Sequence, residues 1–166
     1  MSLEEWNERY RARDDINADP AELLVSAASE LPPRRALDLA CGAGRNALWL
    51  ASRGWDVVAI DGAAEAIDIL RSQDSRVDAR VLDLETAAPL PFDDESFDLV
   101  AILYYLHRPL FAEAKRLVKR GGIVVCAVKM RGTYRVKPEE LAQHFADFEV
   151  LRSSEAEIAE LVARRT

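Results

Sequence analysis

The sequence predicts an α/β fold built on a parallel sheet with helices on both faces, and three observations predict it. Runs rich in Val, Ile and Leu alternate with segments of helical periodicity, the pattern of strands covered on both sides. The stretch LDLACGAGRNALWLA, residues 37–51, passes from an apolar run through two glycines into a helical pattern, as a strand–turn–helix unit does. The 166 residues, 49% apolar and 31% charged, suffice for one domain with a sizeable core. Residues 1–166 are therefore read as a single domain, with 1–30 as an N-terminal helical segment.

Strands are expected near 35–39, 56–60, 77–82, 97–103, 122–129 and 147–152. Asp19 followed by Pro20 reads as an N-cap and first helical residue, opening a helix with Leu23, Leu24 and Ala27 on one face. Residues 44–53, 64–72, 109–119 and 138–145 read as further helices, the one at 109–119 closed by Gly121 and Gly122. The stretch PLPFDDESFD, with two prolines and three successive acids, suits a loop. For the last segment local chemistry says helix: Ser154 and Glu157 form a capping box, and Ile158, Leu161 and Val162 follow at helical spacing. A strand at 159–165 competes with it.

A net charge of −7 argues against a broad phosphate-binding surface, so nucleic acid is not an expected partner. The pairs Arg34-Arg35, Lys119-Arg120 and Arg164-Arg165 are scattered and read as solvated surface. Cys41 and Cys126 lie in unrelated apolar segments without metal-ligand spacing, which suggests two buried thiols in a reducing cytoplasm and no metal site. The charged opening MSLEEWNERYRARDD is unlike a signal peptide, and no stretch is long enough to cross a bilayer, so a cytoplasmic location is expected.

Gly42 and Gly44 end a strand and begin a helix, where backbone amides approach a ligand closely with the positive end of the helix dipole behind them. With Ala47 they satisfy a loose dinucleotide fingerprint, which leaves a nicotinamide-dependent oxidoreductase open as one reading. Asp38 favours another. A carboxylate at the edge of the first strand repels a pyrophosphate and attracts a cation, such as the sulfonium and ammonium of S-adenosylmethionine. The bland alternative is that Asp38 caps local amides. Asp61 and Asp83 end the next two strands, placed to accept ribose hydroxyls and an adenine amino group. Any one of the three acids reads equally as a turn residue; three along one sheet edge point to a ligand.

These segments resemble the class I S-adenosylmethionine-dependent methyltransferases across nearly the whole chain. LDLACGAGR is similar to their first motif, VVAID to the acidic strand end after it, and VLDLE to the second motif; LPFDDESFDLVAILYYLHRPL and RLVKRGGIVVCAV follow. WNERYRARDD is similar to the opening of small tellurite-resistance and thiol methyltransferases. The resemblance implies a Rossmann-like, mostly parallel seven-stranded sheet whose last strand is antiparallel, with FEVLRSSEAEIAELVARRT as the closing hairpin. It implies cofactor contacts from Asp38, Ala40, Cys41, Gly42 and Gly44, from Asp61 with Gly62 at the ribose, from Asp83 with Leu84 at adenine, and from the Leu103 backbone. The usual first glycine is Ala40 here, small enough to preserve the loop.

Methyl transfer from a sulfonium is a displacement with a neutral leaving group, so alignment and desolvation matter more than a dedicated base. The acceptor side is expected beyond the fourth strand, where Tyr104, Tyr105 and His107 lie, with Tyr104 and His107 as catalytic candidates. Packing or helix initiation is the ordinary role of such residues. Trp6 and Tyr10, at helical spacing, are expected to pack against the sheet, with a lid role open to one of them. With no long insertion after the fifth strand, a small-molecule acceptor is expected. A protein that binds the cofactor without turnover is the third reading.

Overall fold

Strand β1 (Arg35–Leu39) divides the core in two, because successive side chains point to opposite faces: Ala36 enters one apolar cluster, Leu37 and Leu39 the other. The computed structural model describes residues 1–13 and 17–166. The Asp14 and Asp15 that complete the N-terminal resemblance lie outside the described residues. Strands β2 (Asp56–Asp61), β3 (Asp78–Val81), β4 (Phe97–Leu103), β5 (Val118–Lys129), β6 (Glu149–Glu155) and β7 (Ile158–Arg164) complete one sheet, ordered β3-β2-β1-β4-β5-β7-β6. All neighbours are parallel except β7, which runs antiparallel to β5 and β6. The seven strands and their reversed member are those the resemblance implies.

Helices α2 (Glu22–Ser29), α3 (Arg45–Ser52) and α4 (Ala64–Gln73) cover one face, burying Leu24, Leu50 and Leu70. Helices α5 (Pro109–Leu117) and α6 (Glu140–His144) cover the other, where Phe97, Phe111 and Phe145 are fully buried. Each such side chain contributes roughly 1.5–3 kcal/mol by leaving water. Helix α1 (Leu3–Ala12) stands apart: it has a Ser2–Glu5 capping box and no buried residue, and it packs against α4. Among the described residues no helix is long and apolar enough to cross a membrane.

Three local expectations give way to tertiary structure. The helical reading of 154–162 fails, because β7 pairs Leu161 with Cys126 on one side and Ser153 on the other. As a strand it buries Leu161 and Val162 on opposite faces of the sheet, so backbone pairing and two-sided burial outweigh local propensity. Asp19 does not cap α2, which begins at Glu22; the Ala21 amide is instead satisfied by Oδ1 of buried Asn46 on α3, 2.8 Å away. Gly121 and Gly122 do not close α5, which ends at Leu117. They belong to β5, where a Cβ on Gly122 would lie 2.8 Å from the Asp98 carbonyl oxygen. The Trp6 and Tyr10 rings stack on each other, 6.0 Å apart, and the Tyr10 hydroxyl lies against Gly42 just beyond β1.

Candidate functional site

Strand alternation places Asp38 on the same side of β1 as Ala36, under the start of α3, and places Asp61 on that side of the neighbouring β2. Asp38 is 1% exposed, and its Oδ2 has no hydrogen-bond partner among the described residues. Burial first, then the charge of Asp61, pushes its pKa up to about 7, against the opposing influence of the Ala47 amide and Arg45. Asp61 is raised by burial as well, although it is well bonded: Oδ2 accepts from the Gly42 amide at 2.8 Å and Oδ1 from the Ala63 amide at 2.9 Å. Asp61 thus ties the β1 turn to the β2 turn, and each oxygen keeps a further lone pair.

The loop between β1 and α3 turns through three left-handed residues, Ala40 (φ 58°), Gly42 (φ 57°) and Gly44 (φ 90°). Ala40 holds a conformation glycine adopts freely, at a cost of about 1 kcal/mol. Gly44 is required by packing, since a Cβ there would lie 2.3 Å from a Leu70 methyl carbon of α4. Gly42 faces the other way, toward the Tyr10 hydroxyl, 2.6 Å from where a Cβ would be. The Cys41 thiol is buried and its pKa raised by that burial, which leaves it a weak nucleophile.

Gly62 and Asp83 are brought together: a Cβ on Gly62 would lie 3.6 Å from the Asp83 Cα and 2.6 Å from a Leu3 methyl carbon of α1. The Asp83 carboxylate accepts from the Glu85 amide at 3.0 Å, the turn role that such a residue ordinarily has. Leu84 and Leu103 are both buried, on opposite faces of the sheet. Tyr104 follows β4 in a left-handed conformation (φ 61°), with its ring half-exposed and its amide bonded to the Ala127 carbonyl. The His107 carbonyl accepts from Leu110 and opens α5, so this residue serves helix initiation.

Residues beyond the cofactor contacts that the resemblance implies complete the rim. Arg45, the first residue of α3, places its guanidinium 5.3 Å from the Tyr104 ring centroid and donates to the Asp19 carbonyl. The Tyr10 hydroxyl is held by burial and by the charge of Asp61 at a pKa of about 12. Helix α1 is fixed there by Arg11 to Glu65 at 2.9 Å, by Asn7 accepting from the Glu65 amide, and by the Met1 ammonium to the Tyr134 hydroxyl. The Trp6 and Tyr10 spacing was the one available signal for this arrangement.

The segment holding the loop, the three acids and β4 also decides the family. Residues 37–126, more than half of the chain, match the methyltransferase domain family. The chain belongs to that family. An uncharacterised methyltransferase of Mycobacterium tuberculosis is 34% identical over 116 residues, 68% of this chain and 45% of its own length. The chain therefore spans about half the length of the curated relatives it matches. TehB of Haemophilus influenzae superposes with a TM-score of 0.81 at 21% identity, over 96% of this chain and 67% of TehB. A Burkholderia thailandensis 1,6-didemethyltoxoflavin N1-methyltransferase, solved with that compound and S-adenosylhomocysteine, superposes with a TM-score of 0.72 at 18% identity, over 99% and 87% of the two chains. Sheet order and sequence match together make this a class I S-adenosylmethionine-dependent methyltransferase domain, which sets aside the nicotinamide reading.

Proposed function

We propose that this methyltransferase moves a methyl group from S-adenosylmethionine directly to a small-molecule acceptor. The observation that carries the reading is the buried, unpartnered Oδ2 of Asp38 beside a left-handed glycine loop. A buried carboxylate oxygen without a donor costs a few kcal/mol, and the ammonium of the cofactor is a donor of the right charge. The residues present therefore fit the group. Asp38, Ala40, Cys41 and Gly42 would hold its methionine end, Asp61 and Gly62 its ribose, and Asp83, Leu84 and the Leu103 backbone its adenine. Gly44 supports the loop from behind. When bound, the cofactor supplies an electrophilic methyl group on a positively charged sulfur.

The chain's own residues then have to exclude water and hold the acceptor in line. Helix α1, resting through Leu3 and Tyr10 on the two ligand-facing glycines, is assigned as the lid. Neither Tyr104 nor His107 is assigned as a base. A small acceptor is supported by the 1,6-didemethyltoxoflavin bound to the Burkholderia enzyme of the same fold. Calorimetric titration with S-adenosylhomocysteine tests the reading: micromolar binding is expected, and Asp61→Ala should weaken it at least tenfold. Radiolabelled cofactor with a panel of thiols, metalloid oxyanions, phenols and amines should transfer label to one class; no binding of S-adenosylhomocysteine would remove the proposal.

A further inference from the structure

The carboxyl edge of the sheet is divided by charge. Asp38, Asp61 and Asp83 stand at or just beyond the ends of β1, β2 and β3, the half that fits a cationic cofactor. Beyond β5 the sign reverses. From Gly121 to Pro138 there is no acid, while Lys129, Arg131, Arg135 and Lys137 supply four cations in a chain whose net charge is −7. A local reversal of this kind sets the field that an incoming ligand meets.

The fold draws these cations together. The Val136 amide donates to the Lys129 carbonyl at 3.0 Å and the Val136 side chain is buried, so the loop after β5 doubles back and sets Lys129 beside Arg135 and Lys137. The Tyr104 amide donates to the Ala127 carbonyl, which ties the end of β4 to β5 two residues before Lys129. Alternation along β5 sends the Lys129 side chain to the face that holds Ala127, the face on which Asp38 also lies.

Two neighbouring cations are already engaged. Arg131 faces Glu157 at 3.5 Å in an exposed pair, and Arg108 is held by Glu140, whose carboxylate also accepts from the Lys137 amide. Lys129, Arg135 and Lys137 are exposed and make no ion pair among the described residues. The Arg135 guanidinium donates to the Gly132 carbonyl at 2.8 Å, which braces it within the loop. Three like charges on one loop repel one another, and a bound anion offsets that repulsion.

We propose that loop 129–137 selects the methyl acceptor by charge: Lys129, Arg135 and Lys137 attract and hold a small molecule that carries a carboxylate besides the atom to be methylated. The inference rests on the transferase reading above and names the acceptor class for the same site. A planar carboxylate suits the guanidinium fork of Arg135, and the two lysines add point charges on either side. Cofactor and acceptor are thereby sorted to opposite halves of one edge.

The test uses acceptor pairs matched in nucleophile and differing in charge: 3-mercaptopropionate with 3-mercaptopropanamide, 4-hydroxybenzoate with 4-hydroxybenzamide, and 4-aminobenzoate with 4-aminobenzamide. With radiolabelled cofactor, the acid of a methylated pair should exceed its amide at least about tenfold in kcat/KM. Raising salt from about 0.05 M to about 0.5 M should shrink that ratio. The combined variant Lys129→Gln, Arg135→Gln and Lys137→Gln should bring the ratio within about twofold of unity, with S-adenosylhomocysteine affinity within about twofold of the parent. Retained affinity also shows that the variant is folded. An amide methylated as well as its acid, a ratio that the variant leaves unchanged, or no methylation of any pair by protein that binds S-adenosylhomocysteine would overturn the assignment. Failure of the parent to bind S-adenosylhomocysteine would instead overturn the transferase reading beneath it.

Discussion

Asp38 and Asp98 are the same residue type in adjacent strands of one sheet, and their surroundings differ completely. At the amino end of β4, Asp98 accepts from the Arg35 amide at 3.2 Å, pairs with Lys119 at 3.2 Å and lies 3.8 Å from Arg34. Near the carboxyl end of β1, Asp38 is fully buried beside a second acid, with one oxygen that has no hydrogen-bond partner among the described residues. The first arrangement is complete within the chain and serves stability. The second is costly for folding alone, a cost that the ammonium of the proposed ligand would offset. The comparison separates an acid satisfied within the chain from one that is not, more sharply than residue type or position does.

The largest effect is expected from removing the charge at Asp38. Asp38→Asn should weaken S-adenosylhomocysteine about a hundredfold, since it withdraws a buried ionic partner from the ligand's ammonium. The same change should stabilise the free protein. The folded pKa of Asp38 is raised to about 7, so the native state is penalised progressively as pH climbs from the ordinary carboxylate range to about 7, and fully above it. Asp38→Asn should therefore melt higher than the parent at pH 8, by at most about 4 kcal/mol of stability, with the gap narrowing toward pH 4. Denaturant titrations at the two pH values check the sign.

A second, intermediate effect concerns pH and binding. Ionised Asp38 is the form that attracts an ammonium, so affinity for S-adenosylhomocysteine should be level above about pH 7 and fall toward tenfold per pH unit below it. Asp38→Asn should flatten that profile. The smallest effect belongs to the partnered acid: Asp98→Ala should cost about 1–2 kcal/mol of stability through its lost hydrogen bonds while leaving ligand affinity within about twofold. A large loss of affinity in Asp98→Ala would erase the contrast between the two sites.

What could be read beforehand is explained by the range of the forces involved. The β1 strand, the glycine turn and α3 were legible because strand alternation and the left-handed turn at Gly42 and Gly44 are local properties. Asp38, Asp61 and Asp83 were legible as a group because parallel strands bring their carboxyl ends to one edge. The β6–β7 hairpin was not legible from local chemistry, since β7 exists by pairing with β5, from Lys129 with Ile158 to Ile123 with Arg164, far beyond the reach of local propensity. The start of α2 was misplaced because its first amide is satisfied by Asn46, far along the chain. The contact of Arg45 with the Tyr104 ring and that of Tyr10 with the Gly42 backbone were not legible for the same reason: each joins residues far apart in the chain.

A crystal structure of the protein with S-adenosylhomocysteine tests the central claim most directly. The account predicts the ligand's ammonium within about 3 Å of the Asp38 carboxylate, with the adenosine lying across the turns at Gly42 and Gly62. A ligand lodged elsewhere, or one that leaves the Asp38 oxygen as unpartnered as before, would contradict it.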